Sequence, residues 1–353
     1  MLQLPGLIDP HVHLREPGAT HKEDWDSGTC AALAGGFTTV LAMPNTEPPV
    51  VDAETLQMAL ELARAKARCD FALFLGANDK NTGYAFALGS QTAGLKMYLN
   101  NTYGPLRLDD MVLWMRHLAR WSANRPVAVH AERHTLGAVI LAAWLINRPV
   151  HLCHVSRREE ILLIRAAKEK GLPITCEVTP HHLFLCEDDL PKLPGGRGKV
   201  APALASASDR QALWENLDVI DCFATDHAPH TTAEKDSATP PPGFPGLETA
   251  LPLFLTAVQE GRLSLKDVVS RMYTNPMRIF QVPEQAETLV EVDLDAEWEI
   301  KAVDLFTRCR WTPFEGWRGR GRVRRVLLRG KEAYRDGEVL ALPGSGKNIR
   351  EVG

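Results

Sequence analysis

The sequence predicts an α/β protein: a (β/α)8, TIM-like barrel with a small β appendage built from the C-terminal tail. Three observations point there. Apolar strand-like runs alternate with helical-length segments along most of the chain. The runs carry no polar face, as expected of a parallel sheet covered on its outside by helices. Eight such units fit within 353 residues, and the first strand–helix turn lacks the Gly-x-Gly-x-x-Gly cradle of a dinucleotide-binding sheet.

Residues 7–14 open the barrel as its first strand, and a helix over 24–35 closes on Gly35-Gly36. The second strand is 37–43, with a helix over 53–68, and the third is 70–76. The fourth, 94–99, leads to a helix over 109–121; the fifth, 127–130, to a helix over 134–146; the sixth, 150–155, to a helix over 158–170. The seventh is 174–178 and the eighth 219–225, followed by helices over 247–258 and 265–272. The proline-rich stretch 239–246 can be neither helix nor central strand, and its place after the eighth strand sets it over the barrel mouth. Beyond Pro283 an acidic run over 290–300 precedes a hairpin of 322–328 and 332–339, turning at Gly330-Lys331. The barrel is therefore assigned to residues 5–285 and the appendage to 286–353 with 1–4.

The chain is 45% hydrophobic with a net charge of −4, so no basic footprint calls for nucleic acid. The basic cluster from Arg318 to Arg325 has no interleaved aromatics and reads as a strand edge. No apolar run approaches the roughly 20 residues that span a bilayer, and no signal peptide opens the chain, so no membrane partner is expected. Seven scattered cysteines fit reduced thiols and a cytoplasmic location. The abrupt start, Met1-Leu2-Gln3 before Leu4-Pro5-Gly6, reads as a domain of a longer polypeptide.

Chemistry in such barrels sits at the C-terminal strand ends. His11 and His13, two apart on a strand, face the same way and can grip one metal ion. His130 and His154 end two further strands, and Asn45, Lys96 and Asp226 lie at or just past others. Four imidazoles exceed the needs of one catalytic zinc, and a pair of ions needs a bridging anion. Lys96, inside a buried strand, either reaches an acid or solvent or is converted by carbon dioxide to a carbamate. Asp226 either caps the following loop or ligates metal and carries a proton. Arg15, on the face of His13, suits a substrate carboxylate, with Asn45 adding a hydrogen bond. His21, His117, His134 and His151 are assigned no function.

Four motifs, His11-Val12-His13-Leu14-Arg15-Glu16-Pro17-Gly18, Met43-Pro44-Asn45-Thr46, Gly94-Leu95-Lys96 and Asp226-His227-Ala228-Pro229-His230, resemble those of dihydroorotases in the amidohydrolase superfamily. The resemblance covers nearly the whole chain, including Pro242-Gly243-Phe244-Pro245-Gly246-Leu247-Glu248. It is strongest to the dihydroorotase domain of the animal multifunctional protein that starts pyrimidine synthesis. It implies an amidohydrolase-type barrel that reversibly cyclises N-carbamoyl-L-aspartate to L-dihydroorotate, within a multifunctional polypeptide and as a homodimer. It implies two zinc ions: His11, His13 and Asp226 on the first, His130 and His154 on the second, and carboxylated Lys96 between them. Cys153 and Glu177 match positions for a third zinc. Substrate would be held by Arg15, Asn45, His230 and the backbone of Pro242 and Gly243, under a mobile loop carrying Thr102 and Tyr103. Asp226 would be the proton shuttle.

One departure stands out: Ala201 occupies a position where an arginine or asparagine would contact substrate, a loss of ~1–3 kcal/mol if that contact was buried. Lys199 is the neighbour that would compensate. Two rival readings remain: a dihydropyrimidinase or hydantoinase, which needs no carboxylate fork such as Arg15, and a catalytically inactive scaffold domain, which a complete ligand set opposes.

Overall fold

The computed structural model describes residues 1–122 and 124–351. Its strands are β1 (Leu2–Pro5), β2 (Leu7–Val12), β3 (Phe37–Ala42), β4 (Asp70–Leu73), β5 (Leu75–Gly76), β6 (Leu95–Tyr98), β7 (Val127–His130), β8 (Val150–Leu152), β9 (Ile174–Val178), β10 (Cys222–Phe223), β11 (Leu289–Glu299), β12 (Arg318–Leu328), β13 (Lys331–Arg335) and β14 (Glu338–Val339). Its helices are α1 (Trp25–Ala34), α2 (Ala53–Lys66), α3 (Met111–Arg120), α4 (Arg133–Ile146), α5 (Arg158–Glu169), α6 (Pro180–Phe184), α7 (Ala207–Glu215), α8 (Thr232–Lys235), α9 (Leu247–Gln259), α10 (Leu265–Val269) and α11 (Asn275–Phe280).

β2 to β10 run parallel, as β2-β3-β4 and β5-β6-β7-β8-β9-β10. Phe74 interrupts one continuous path between β4 and β5, which joins the two runs. A parallel bridge from Val12 to His227, with His13 N–H on His227 O at 2.7 Å, closes the ring. Side chains from opposite strands, Ile8, Leu41, Ala72, Ala128 and Cys222, meet in one buried cluster with Phe280 of α11, so the interior is a packed core. The larger core lies between the strands and the surrounding helices.

The helices start where the sequence supplies caps. Asp24 accepts from Ser27 N–H while Ser27 Oγ receives Asp24 N–H, and Asp52 and Thr55 repeat the device at α2. Three expected elements differ. The sixth strand stops at Leu152, because the chain turns at His154 into a left-handed backbone. The eighth shrinks to Cys222–Phe223 after a 3-10 turn over Leu217–Val219. The helix over 265–272 breaks at a π-turn, Ser270–Thr274, before α11. The short helices α6 and α7, before the eighth strand, and α8, after it, lie in two stretches that the apolar rhythm left unassigned.

The tail forms a five-stranded antiparallel sheet, β1-β11-β12-β13-β14. Its hairpin turns at Arg329-Gly330, both with positive φ, one residue earlier than expected; the glycine sits where only a left-handed residue fits a tight two-residue turn. The last residues leave this sheet and return to the barrel: Phe71 N–H binds Lys347 O and Ile349 N–H binds Phe71 O, both at 2.9 Å.

Candidate metal centre and substrate pocket

His11, His13, Lys96, His130, His154 and Asp226 are all buried at one mouth of the barrel. Arg15, His154 and Asp226 have left-handed backbones, with φ of 61°, 37° and 46°. Such non-glycine conformations cost on the order of 1–3 kcal/mol each and persist only where the surroundings over-determine them. Here they turn side chains inward as the chain leaves a strand.

Hydrogen bonds around the mouth fix the imidazole tautomers. Asn45 Nδ2 donates to Tyr103 O at 2.9 Å, which turns Asn45 Oδ1 toward His13 Nδ1 at 2.7 Å. An amide oxygen only accepts, so His13 carries its proton on Nδ1. Its Nε2 lone pair then faces Asp226 Oδ1 at 3.0 Å. Glu177 Oε1 accepts a hydrogen bond from the Nδ1–H of His11, whose Nε2 lies 3.2 Å from the same Asp226 oxygen. Two lone pairs and a carboxylate oxygen turned on one another repel unless positive charge stands among them. That is the donor set of a cation, with each imidazole oriented by an outer partner. The three residues offer ligand atoms within 4.8 Å of one another.

The electrostatics agree. Burial and the Lys96 charge push the His11 pKa down, but Glu177 and Asp226 overcome them and bring it to about 10. Those carboxylates draw positive charge to this ring, as a proton or a metal ion. Burial holds His13 down to about 4, and lowers His130 and His154, so these rings are neutral at pH 7 and available as ligands. Burial raises the Asp226 pKa, but His11 and His13 outweigh it and keep the carboxylate ionised.

His130 Nδ1 and His154 Nε2 lie 2.9 Å apart, and His154 Nδ1 has no partner among the described residues. Lys96 is fully buried, with Nζ 2.8 Å from Cys153 Sγ. Three ammonium protons against one thiol are poor compensation for a buried charge. Cys153, Glu177 and His11 form a second cluster within 4.8 Å. Glu177 Oε2 also meets His151 Nε2 at 3.0 Å, so His151, assigned no function from the sequence, orients Glu177.

Above the histidines lies a pocket walled by Arg15, Asn45, Thr102, Tyr103, Ala201 and the backbone of Pro242 and Gly243. A Cβ on Gly243 (φ 145°) would meet Ala228 O at 2.4 Å, so only glycine lets this strand of the loop pass. His230 Nε2 donates to Pro242 O at 3.0 Å; Arg15 Nη2 stands 3.1 Å from that same Nε2, and Arg15 Nε donates to Pro229 O. Two donors thus stand side by side at the pocket wall, an arrangement that an anionic oxygen accepting from both would satisfy.

Ala201 stands in the wall as a methyl group. Lys199 is exposed and outside the wall, so its ammonium does not replace the missing contact; only its carbonyl takes part, accepting from Gly243 N–H. Sequence reasoning missed Tyr98, whose buried Oη reaches the pocket with no hydrogen-bond partner among the described residues, and Lys22, which touches both Tyr103 and His230. Tyr98 was legible as the residue two after Lys96 on one strand face; Lys22, in a polar loop, carried no signal.

The amidohydrolase family matches residues 2–332. The chain is 58% identical to "Multifunctional protein CAD" of Squalus acanthias over 99% of its length, while spanning only 16% of that protein. It is 40% identical to "Dihydroorotase" of Pyrococcus abyssi, covering 99% of this chain and 87% of the relative. Among solved structures, the L-hydantoinase of Arthrobacter aurescens superposes with a TM-score of 0.94 at 24% identity over 98% of this chain and 88% of that one, which speaks to the fold alone. The "inactive dihydroorotase-like domain" of a Chaetomium thermophilum CAD-like protein superposes at 0.85 with 29% identity, covering 98% of each. With its fold, its cation-ready mouth and these relatives together, the chain belongs to the amidohydrolase family, on its dihydroorotase branch.

Proposed function

We propose that this domain is a dihydroorotase, interconverting N-carbamoyl-L-aspartate and L-dihydroorotate in pyrimidine synthesis, as part of a larger multifunctional polypeptide in the cytosol. The observation that carries the reading is the pairing, in one pocket, of a cation-binding histidine–aspartate cluster with a buried arginine that has no carboxylate partner within salt-bridge distance among the described residues. Dihydroorotate is a cyclic amide bearing a free carboxylate, and each half of the pocket answers one of those groups.

The assigned cofactor is a pair of zinc ions. His11, His13 and Asp226 would hold one, His130 and His154 the other, and a carbamate on Lys96 would lie between them. Neutral rings, an ionised Asp226 and an under-compensated Lys96 all fit that assignment. Cys153 and Glu177, beside His11, are where a third ion would sit. When bound, zinc polarises a carbonyl and brings the pKa of water toward about 7.

The chain's own residues do the rest. Arg15 and His230 hold the substrate carboxylate, and Asn45 and the Pro242-Gly243 backbone fix the ring. Asp226, ionised at the mouth, takes the proton of the attacking water and returns it to the leaving amide nitrogen. Thr102 and Tyr103 close the pocket against bulk water. The test is an assay with N-carbamoyl-L-aspartate and dihydrouracil side by side: turnover of the first alone is expected, and turnover of dihydrouracil alone would move the domain to the hydantoinases. Loss of both, with zinc bound, would support the inactive-scaffold reading that Ala201 favours. Self-association is assigned to the apolar face that α4 and α5 expose through Leu141, Trp144, Leu145, Leu162 and Leu163; sedimentation of Trp144→Glu against the unaltered chain tests it.

A further inference from the structure

Lys22 is an unexpected burial. It lies in the loop between β2 and α1, 4% exposed, and its ammonium sits at the pocket wall. Each of its three protons has an acceptor: Glu234 Oε1 of α8 at 2.9 Å, His230 Nδ1 at 3.2 Å and the Tyr103 hydroxyl at 3.1 Å. Two of these belong to the fixed frame beyond β10. The third belongs to the 101–104 loop, which carries no helix or strand of its own.

The contact with His230 has a chemical consequence. An ammonium only donates, so His230 Nδ1 must carry the lone pair. Pro242 O, 3.0 Å from Nε2, also favours a proton there, but Arg15 Nη2, itself a donor 3.1 Å from that nitrogen, favours the opposite tautomer. Lys22 tips that balance toward an Nε2–H, which faces Pro242 O beside Arg15 Nη2 at the pocket wall. The contact with Tyr103 ties the loop to the same ammonium, while the Tyr103 ring lies over Arg15, its centroid 5.1 Å from the guanidinium carbon. Glu234 balances the charge, so the lysine stays buried without an isolated cation.

We propose that Lys22 is a positioning residue with two linked duties: it holds His230 in the tautomer that donates to a substrate carboxylate, and it latches Tyr103 so that the loop closes over that carboxylate. This rests on the dihydroorotase reading for the identity of the substrate, but the tautomer and the latch do not depend on turnover.

Lys22→Met keeps the aliphatic stem and removes all three donors. In the full zinc-loaded protein, nitrogen NMR of the His230 ring should show an unprotonated Nδ1 before the change and a mixture of tautomers after it. KM for N-carbamoyl-L-aspartate should rise about tenfold with kcat changed much less, because the lost contact acts on substrate already in the ground state. Tyr103→Phe should raise KM about threefold, and should add nothing in the Lys22→Met background if the two side chains act as a pair. Lys22→Arg should recover part of the tautomer preference. Should Lys22→Met fail to fold, Lys22→Gln takes its place in every measurement. An unchanged His230 spectrum, or strictly additive effects of the two substitutions, would overturn the proposal. A wild-type protein that turns over no carbamoyl aspartate yet shows the tautomer shift would sink the substrate reading and leave the His230 assignment standing.

Discussion

The barrel mouth and the five-stranded tail sheet are both rich in charge, and they treat it in opposite ways. On the sheet, Arg320 meets Glu297 at 2.5 Å, Arg324 meets Asp293 at 3.1 Å and Arg325 meets Glu291 at 3.5 Å, each across neighbouring strands. Every one of those side chains keeps some contact with water, and each of those six charges has its partner. At the mouth, Lys96, Arg15, Asp226 and four histidines are buried, with lone pairs facing a carboxylate, donors beside donors and three strained backbones. The sheet is complete as it stands; the mouth is complete only with something in it. Burial combined with mismatched partners, rather than charge itself, marks the part of the molecule built for a ligand.

The largest expected effect lies at the mouth. Asp226→Asn should lower turnover of carbamoyl aspartate by at least about 10³-fold while circular dichroism is unchanged, since the amide can no longer exchange a proton. Retained turnover would remove the shuttle. Arg15→Met should raise KM by roughly 10²-fold, the cost of an unpaired carboxylate in a buried pocket, with a smaller effect on kcat. Removing metal with a chelator should lower the melting temperature, because an ion present at 1,000 times its Kd stabilises by about 4 kcal/mol. An unmoved melting curve would mean that the mouth tolerates its own lone pairs.

Acid titration gives a subtler contrast. Burial raises the Glu234 carboxyl, but the Lys22 hydrogen bond and charge, together with hydrogen bonds from the Thr231 N–H and hydroxyl, outweigh it and bring it down to about 2. A carboxylate whose folded pKa is depressed contributes stability above its unfolded value of 4.5 and loses it as pH falls toward 2. Denaturation midpoints across that window should fall less steeply in Lys22→Met than in the unaltered chain. The smallest effect belongs to the sheet: Arg320→Ala should change stability by less than about 1 kcal/mol, as expected of a half-exposed ion pair. A cost several times larger would erase the distinction between the two regions.

Much of this contrast was legible before any coordinates. The barrel announced itself through apolar runs alternating with helical-length segments, since periodicity is a local property of a chain. His11, His13, His130, His154 and Asp226 were legible because strand ends in such barrels converge. Lys22, Tyr98 and the part played by His151 were not, because their meaning is a distance to residues remote in sequence: Lys22 gains its role only from His230 and Glu234, more than 200 positions away. The shortened eighth strand and the π-turn escaped for a related reason. Tertiary hydrogen bonds, such as Arg271 to Ile220 O at 3.0 Å, override local preference there.

The most direct test is an anomalous diffraction map, recorded at the zinc edge, from crystals of gently purified protein. Two peaks are expected, one among His11, His13 and Asp226 and one beside His130 and His154, with density for a carboxylated Lys96 between them. A featureless map at that mouth, with Lys96 unmodified against Cys153, would contradict the reading of these residues as a metal centre.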